Sequence, residues 1–170
     1  MARAFVGVGS NLDPEANVPA ALRLLARKVR VAAISIFYAT EPLGRPEQPV
    51  FYNGVIEIET DIPARELKRG VLRPIEAALG RQRTADRYAA RTIDLDLLIY
   101  GELVAEEEDL ALPDPEIAGR AFLAVPLAEL APEVALPGDG RPLREIAAGL
   151  GPHDMKPLPD FTRRIREEIA

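Results

Sequence analysis

Cysteine is absent from this 170-residue sequence, and histidine occurs once, at His153. Without cysteine there can be no disulfide framework, no thiolate zinc site and no cysteine nucleophile, and the absence fits a reducing cytoplasm. Serine occurs only at Ser10 and Ser35, neither within a Gly-x-Ser-x-Gly elbow. His153 lies in a Pro/Gly-rich tail and reads as a solvated residue. Catalytic triads and histidine-rich zinc sites therefore lack their parts. No Gly-x-x-x-x-Gly-Lys-Ser/Thr occurs, which excludes a P-loop. Gly7-Val8-Gly9 has no third glycine at Leu12, which argues against a dinucleotide fold. Long apolar runs are missing too. Nothing approaches the ~20 residues of a membrane span, and the N-terminal apolar stretch is too short for a signal peptide.

What remains is ordinary in bulk and uneven in detail. With 48% hydrophobic and 28% charged residues, 170 residues fit a single domain with a real core. Lys28, Lys68 and Lys156 are the only lysines among 21 basic residues, and there are 16 prolines. Such a composition suits a thermophile, and a GC-rich genome produces the same bias. The net charge of −6 argues against general nucleic-acid affinity. Yet Arg81, Arg83, Arg87 and Arg91 crowd one stretch against a single acid, Asp86. A local basic stretch on an acidic chain points to a small anionic ligand.

The apolar periodicity predicts strands over 3–8, 29–40, 51–60 and 93–100, with helices over 14–28 and 63–79. Asp13 and Pro14 read as the N-cap and first position of the first helix, and Pro74 should kink or divide the second. Prolines 42, 46 and 49 mark 41–50 as a loop. Beyond residue 100 the pattern predicts an extended run at 110–115, a short helix over 122–130, a weak strand at 134–136 and a helix over 142–150. A terminal helix to Ala170 follows, capped by Asp160. The order β-α-β-β-α-β is the ferredoxin-like pattern of an α+β fold, and the helices near 122 and 142 are expected to cover the other face of the sheet.

Ile93-Asp94-Leu95-Asp96-Leu97-Leu98-Ile99 carries the strongest chemical signal. Aspartate is unfavourable in strands, and here two lie inside an apolar one. The period of two puts both carboxylates on one face, their Cα atoms roughly 6–7 Å apart, and turns Leu95, Leu97 and Ile99 into the core. Two such carboxylates repel unless cations lie beside them. Oxygen ligands without nearby His or Cys favour Mg²⁺, completed by substrate phosphates. The four arginines end beside this pair, and guanidinium groups bind phosphate bidentately. Carboxylates for a metal flanked by arginines make a phosphoryl-transfer constellation. The plainer alternatives are exposed acids on an edge strand and a solvated arginine loop paired with Glu76 and Asp86.

Arg87-Tyr88-Ala89-Ala90-Arg91-Thr92-Ile93-Asp94-Leu95-Asp96-Leu97-Leu98 resembles the signature of the 6-hydroxymethyl-7,8-dihydropterin pyrophosphokinases of folate biosynthesis. Gly9-Ser10-Asn11-Leu12, the segment from Phe37 to Gly44, Phe51-Tyr52-Asn53, and Arg120-Ala121-Phe122-Leu123 with Pro126-Leu127 are similar to the family as well. The likeness runs over roughly residues 3–146. It implies transfer of the terminal diphosphate of ATP to the pterin hydroxymethyl group, with release of AMP. It also implies that Asp94 and Asp96 bind two Mg²⁺ ions, one bridging the α- and β-phosphates and one the β- and γ-phosphates and the substrate hydroxyl. Asp96 becomes the proton acceptor. Arg81 and Arg91 become the residues that neutralise phosphate charge, with Arg83, Arg87, Tyr88, Arg120, Glu76 and Leu97 on the nucleotide side. The pterin is implied to stack between Phe51 and Phe122 and to meet Thr40, Asn53, Pro42 and Leu43 along its polar edge.

The chain departs from the family pattern at three places. Tyr88-Ala89-Ala90 stands where Trp-Gly-Pro is usual, Phe51 where a tyrosine is common, and Asp114 where a histidine commonly follows the first proline of Pro113-Asp114-Pro115. An ionised Asp114 repels phosphate. The expectation is thus a monomeric, cytoplasmic enzyme acting on small molecules, with no nucleic-acid or membrane partner and a tail from Gly151 onward without assigned role. A ferredoxin-like RNA-binding or regulatory module and a metal-dependent phosphodiesterase are the competing classes. A shift with single-stranded RNA marks the first, and phosphate release without an acceptor marks the second.

Overall fold

The longest strand pairings place β1 (Ala2–Ser10) in the interior of a sheet whose paired strands are all antiparallel. A computed structural model describes residues 1–44, 46–82, 84–86 and 89–169. On one side β1 pairs along its whole length with β4 (Phe51–Thr60), from Ala2 opposite Thr60 to Ser10 opposite Tyr52. On the other it pairs with β5 (Asp94–Tyr100). The far edge of β4 carries both β2 (Arg30–Ile34) and β3 (Tyr38–Thr40). A hairpin of β6 (Ala105–Glu107) and β7 (Leu110–Leu112) forms a separate sheet; β7 falls in the expected extended run at 110–115, and β6 is not expected from the sequence.

Helix α1 (Pro14–Ala26) joins β1 to β2. Asp13 holds the N-cap position but at φ 46°, ψ 54°, and its side chain makes no capping bond. Capping needs an extended residue there, so the expected cap is corrected to a left-handed turn. Between β4 and β5 the expected kink at Pro74 is resolved into three parts: α2 (Ala64–Leu67), a π-turn over Lys68–Leu72, and α3 (Arg73–Ala78). Proline has no N–H and clashes with the carbonyl four residues back, and a turn wider by one residue relieves both problems.

The expected long strand over 29–40 is broken. Ile34 pairs with Ile56, but Tyr38 pairs with Asn53, so three residues face two across the break. The Phe37 ring lies against Gly54, where an added Cβ would come within 2.5 Å. A ring laid across the ladder and a flat strand cannot share that space. The weak strand expected at 134–136 is only a bridge between Ala135 and Pro142, because Gly138 and Gly140, both at positive φ, close a tight loop behind it.

Two cores cover the two faces. One packs Leu22 and Leu25 of α1 and Leu67 and Leu72 of the divided helix against Val6, Val8, Ile56 and Ile58. The other packs α4 (Ala121–Leu130) and α5 (Leu143–Gly149) against Phe5, Val55 and Leu98. Leu95 and Leu97 enter the first core as expected. Ile99 does not: a bulge opposite Phe5 and Val6 moves it into the second. The segment after Gly151 is also structured. Residues Lys156–Pro157 form β8 alongside β3, and α6 (Pro159–Ile169) buries Phe161 and Ile165 in the first core. Asp160 lies in the first turn of α6, not at its cap, and pairs with Arg163 at 3.1 Å. Among the described residues no helix is long and apolar enough to cross a membrane.

Candidate active site

The register of the central strands builds the site. Asp94 stands opposite Gly9, Gly9 opposite Asn53, and Asn53 opposite Tyr38, so these residues form one row across the sheet. One step along, Asp96 stands opposite Gly7. Adjacent strands lie ≈ 4.8 Å apart, which sets Asp94 and Asn53 about 10 Å from each other across a glycine. Gly9 makes this crossing close: a Cβ there would meet Asn53 Oδ1 at 2.6 Å, so the Asn53 side chain would have to shift. Asp94, Gly9 and Asn53 of this row and the start of α4 line a cleft that holds Asp94, Asp96 and Arg91 at one end and Phe51, Asn53 and Thr40 at the other.

Asn53 donates from Nδ2 to Thr40 Oγ1 at 2.7 Å, which fixes two of the expected pterin contacts relative to each other. Phe51 and Phe122 both line the cleft and are only partly buried. The exposed Leu43 lines it as well, and Pro42 next to it is buried. Arg120 lines the cleft from the residue before α4 and lies 3.9 Å from Glu116.

The charged end is organised around Asp94. Arg81 Nη1 donates to Asp94 Oδ1 at 2.5 Å and to Glu76 Oε2 at 2.8 Å, and Arg91 Nη1 donates to Asp94 Oδ2 at 2.7 Å. Burial alone would push the Asp94 carboxyl up, but Arg81 and then Arg91 outweigh it and hold it below the usual carboxylate range. Asp96 goes the other way. Burial, then the charges of Asp94 and Asp114, push it well above the ordinary value. Among the described residues no basic side chain forms an ion pair with Asp96. Asp114 is pushed up mainly by burial, although its carboxylate accepts from Glu116 N–H at 2.9 Å.

Glu76 lies behind this end, 2% exposed, where it accepts from Arg73 Nη1, Arg81 Nη1 and the backbone N–H of Leu95. It lines neither hollow; it braces Arg81 and the start of β5. Leu97 lines a second hollow with Lys68, Arg73 and Pro115, joined to the cleft through Asp96 and Asp114. Arg83, Arg87 and Tyr88 lie outside the described residues.

Asn11, without an expected role of its own, has one in the structure. Its Oδ1 accepts from Arg91 N–H at 2.7 Å, while Nδ2 donates to Gln48 Oε1 and Pro49 O. Asn11 therefore ties the segment carrying Arg91 to the loop preceding Phe51. Ser10 adds a bond from Oγ to Thr92 O at 2.6 Å. Ser10, the last residue of β1, and Asn11 after it are both buried; two polar residues closing an apolar strand were the available signal. Lys68 and Arg73 had none, because the π-turn that carries them to the second hollow is invisible in the apolar spacing.

The carboxylate pair fits a hard cation. Both groups are oxygen donors facing one cleft, and Asp96, pushed up by its acidic neighbours, forms no ion pair among the described residues, so a divalent ion would supply counter-charge there. Among the described residues no group of three or more His, Cys, Asp or Glu is placed to hold a metal. A two-carboxylate set leaves positions for water and phosphate oxygens, as Mg²⁺ prefers.

Comparison with known proteins shows the family of the chain. The family model described as 7,8-dihydro-6-hydroxymethylpterin-pyrophosphokinase (HPPK) matches residues 5–132. A 2-amino-4-hydroxy-6-hydroxymethyldihydropteridine pyrophosphokinase from Pseudomonas aeruginosa is 39% identical over 160 residues, 92% of this chain and 97% of that protein. One of the same name from Methylorubrum extorquens is 40% identical over 159 residues, 92% of this chain and 98% of that protein. Among solved structures, a Plasmodium falciparum HPPK-DHPS triple mutant superposes with TM-score 0.70 at 11% identity, over 87% of this chain and 43% of that one. That likeness concerns the fold alone, and this chain spans less than half of the longer protein. By the family match and the identity to these relatives, the chain belongs to the 7,8-dihydro-6-hydroxymethylpterin-pyrophosphokinase family.

Proposed function

We propose that this chain transfers diphosphate from ATP to the hydroxymethyl group of 6-hydroxymethyl-7,8-dihydropterin, releasing AMP, as a step of folate biosynthesis. The observation that carries the reading is one cleft that joins Asp94, Asp96 and Arg91 to Thr40, Asn53, Phe51 and Phe122. One end suits a polyphosphate and the other a flat heterocycle with a polar edge.

Phe51 and Phe122 take the pterin ring between them, and the Thr40–Asn53 pair meets its polar edge with the backbone at Pro42 and Leu43. The hydroxymethyl group then points along the glycine row toward the aspartates. Asp94 and Asp96 would hold two Mg²⁺ ions, which when bound supply charge neutralisation on the phosphates worth several kcal/mol. Arg81 and Arg91, freed from Asp94, turn to phosphate oxygens, with Arg83, Arg87, Tyr88 and Arg120 in support. Leu97 lies on the nucleotide side, and Glu76 holds Arg81 in place. The substrate oxygen forms a bond to the β-phosphorus in line, the bond from that phosphorus to the bridging α–β oxygen breaks, and AMP leaves. A carboxylate oxygen of Asp96 takes the hydroxyl proton.

The proposal extends to architecture and setting. The strand order β5-β1-β4-β3, with α1 and the divided helix on one face, supports a ferredoxin-like core within a single domain over 1–170. It also includes a monomer acting in the cytoplasm, and the net charge of −6 favours small-molecule partners over nucleic acid.

The test is product analysis with ATP, Mg²⁺ and the hydroxymethyl dihydropterin. AMP formation that requires both metal and pterin is expected. ADP as the nucleotide product, or full activity in Asp96→Ala, overturns the proposal.

A further inference from the structure

The break between β2 and β3 frees backbone groups that two helices from distant parts of the chain then take up. Glu129, at the end of α4, accepts from Ile36 N–H at 3.0 and 3.2 Å. Thr162 of α6 is fully buried; its Oγ1 accepts from Phe37 N–H at 2.9 Å and donates to Leu158 O at 2.8 Å. Leu158 N–H donates to Phe37 O at 2.8 Å. Arg166 donates twice to Ile34 O, at 2.7 and 3.0 Å, and lies 3.7 Å from Glu129. Ser35 closes the inner side by exchanging bonds with Val55. Ile34, Ile36 and Phe37 are thus held by side chains of α4 and α6, and Ser35 by β4.

Both ends of this arrangement lead to the cleft. Thr40 follows Phe37 by three residues on β3, and Phe122 precedes Glu129 by seven on α4, about 10 Å along the helix. The break is therefore where the strand bearing Thr40 and the helix bearing Phe122 are pinned together. We propose that Glu129, Thr162 and Arg166 are positioning residues for the pterin end of the cleft, acting through the backbone of residues 34–37. The C-terminal segment is in this view part of the binding apparatus, although none of it lines the cleft. The inference rests on reading that end as the pterin site.

The test uses the full chain and four proteins: wild type, Thr162→Val, Thr162→Ser and Arg166→Met. Valine keeps the shape but leaves the Phe37 N–H without an acceptor, so the KM for the hydroxymethyl pterin should rise about tenfold. The KM for ATP and kcat should stay within about twofold, because the charged end is untouched. Serine restores the acceptor and should return the pterin KM close to wild type. Arg166, whose side chain is 45% exposed, can be replaced without opening the core; methionine there should raise the pterin KM about threefold, since two bonds to one carbonyl are lost. A parallel rise in both KM values, or no rise in either variant, overturns the positioning role.

A turnover-free measurement separates this role from the function reading. Amide hydrogen exchange over Ile36 to Thr40 should quicken about tenfold in Thr162→Val while the β1–β4 ladder stays protected. If wild type turns over no pterin, the function reading fails on its own. If exchange over Ile36 to Thr40 is unchanged, the positioning proposal fails whatever the activity.

Discussion

Arg81 and Asp94 are joined by a 2.5 Å hydrogen bond, and the same Nη1 reaches Glu76 at 2.8 Å behind the cleft. One guanidinium nitrogen thus serves a carboxylate that faces the cleft and another that is buried in the fold. Asp96, two residues along the same strand, has no such partner among the described residues. The asymmetry makes Asp94 the anchored member of the pair and Asp96 the strained one.

The first prediction follows from that strain. Asp96 has its carboxyl raised well above the ordinary value, so the folded chain keeps a proton that the unfolded chain loses near pH 4. Stability is unaffected by this group below that pH and falls as pH rises through its folded value. Metal-free Asp96→Asn, which has no such penalty, should melt higher than wild type at neutral pH and converge with it near pH 4. On the proposed function its activity should fall by orders of magnitude, since the proposed metal ligand and proton acceptor would be lost together. Melting curves across pH, in chelator, check the first part; equal stability at neutral pH would refute it.

A second prediction separates Arg81 from Arg91. The Arg81 side chain is 7% exposed and shared by two carboxylates, whereas Arg91 is 25% exposed and serves one in the pairs described. Arg81→Ala should cost about 3 kcal/mol of stability, the scale for stranding buried charge, and Arg91→Ala about 1 kcal/mol. Urea unfolding measures both. Equal losses would mean that Glu76 relaxes onto Arg73 and the bridge carries no load.

Much of this site was legible in the sequence, and the reason is periodicity. Asp94 and Asp96 had to share a face because the strand repeat is two, and the arginines had to arrive nearby because few residues intervene. The cleft walls at Thr40, Asn53, Phe51 and Phe122 came through resemblance, since nothing in the spacing of an aromatic distinguishes a ring in a cleft from one in a core. What stayed hidden depends on irregular backbone. The π-turn that sets Lys68 and Arg73, the break at Ser35 to Phe37 and the bulge that displaces Ile99 each insert a residue into a regular repeat. Whether a repeat tolerates that insertion is decided by partners far away in sequence, such as Thr162 and Glu129.

A third prediction concerns Gly9, the residue between Asp94 and Asn53. A methyl group there would stand 2.6 Å from Asn53 Oδ1, the mobile end of a side chain, so the chain should fold with the loss of about 1 kcal/mol. Asn53 must then turn away from Thr40, breaking the 2.7 Å bond between them. Gly9→Ala should therefore weaken pterin binding about tenfold, the scale for one lost polar contact, and leave nucleotide binding nearly unchanged. Titration calorimetry with each ligand checks the split, and equal effects on both would place the damage in the sheet.

The last prediction bears on Asp114, which lines both hollows and adds its charge to those acting on Asp96. It lies where bound phosphates and the aspartate pair would meet, so its charge opposes the arginines. Asp114→Asn keeps the shape and an oxygen able to accept from Glu116 N–H. Two effects then act in the same direction. Repulsion of the polyphosphate falls, and Asp96 gives up its proton at lower pH, so it is available to a cation over a wider range. Binding of a non-hydrolysable ATP analogue with Mg²⁺ should tighten about threefold, and the gain should be larger at pH 6 than at pH 8. The same titration in Asp114→Ala removes the side chain altogether and should give a similar gain. Weaker nucleotide binding in both variants would instead make Asp114 a favourable contact, accepting from the ribose hydroxyls across the second hollow.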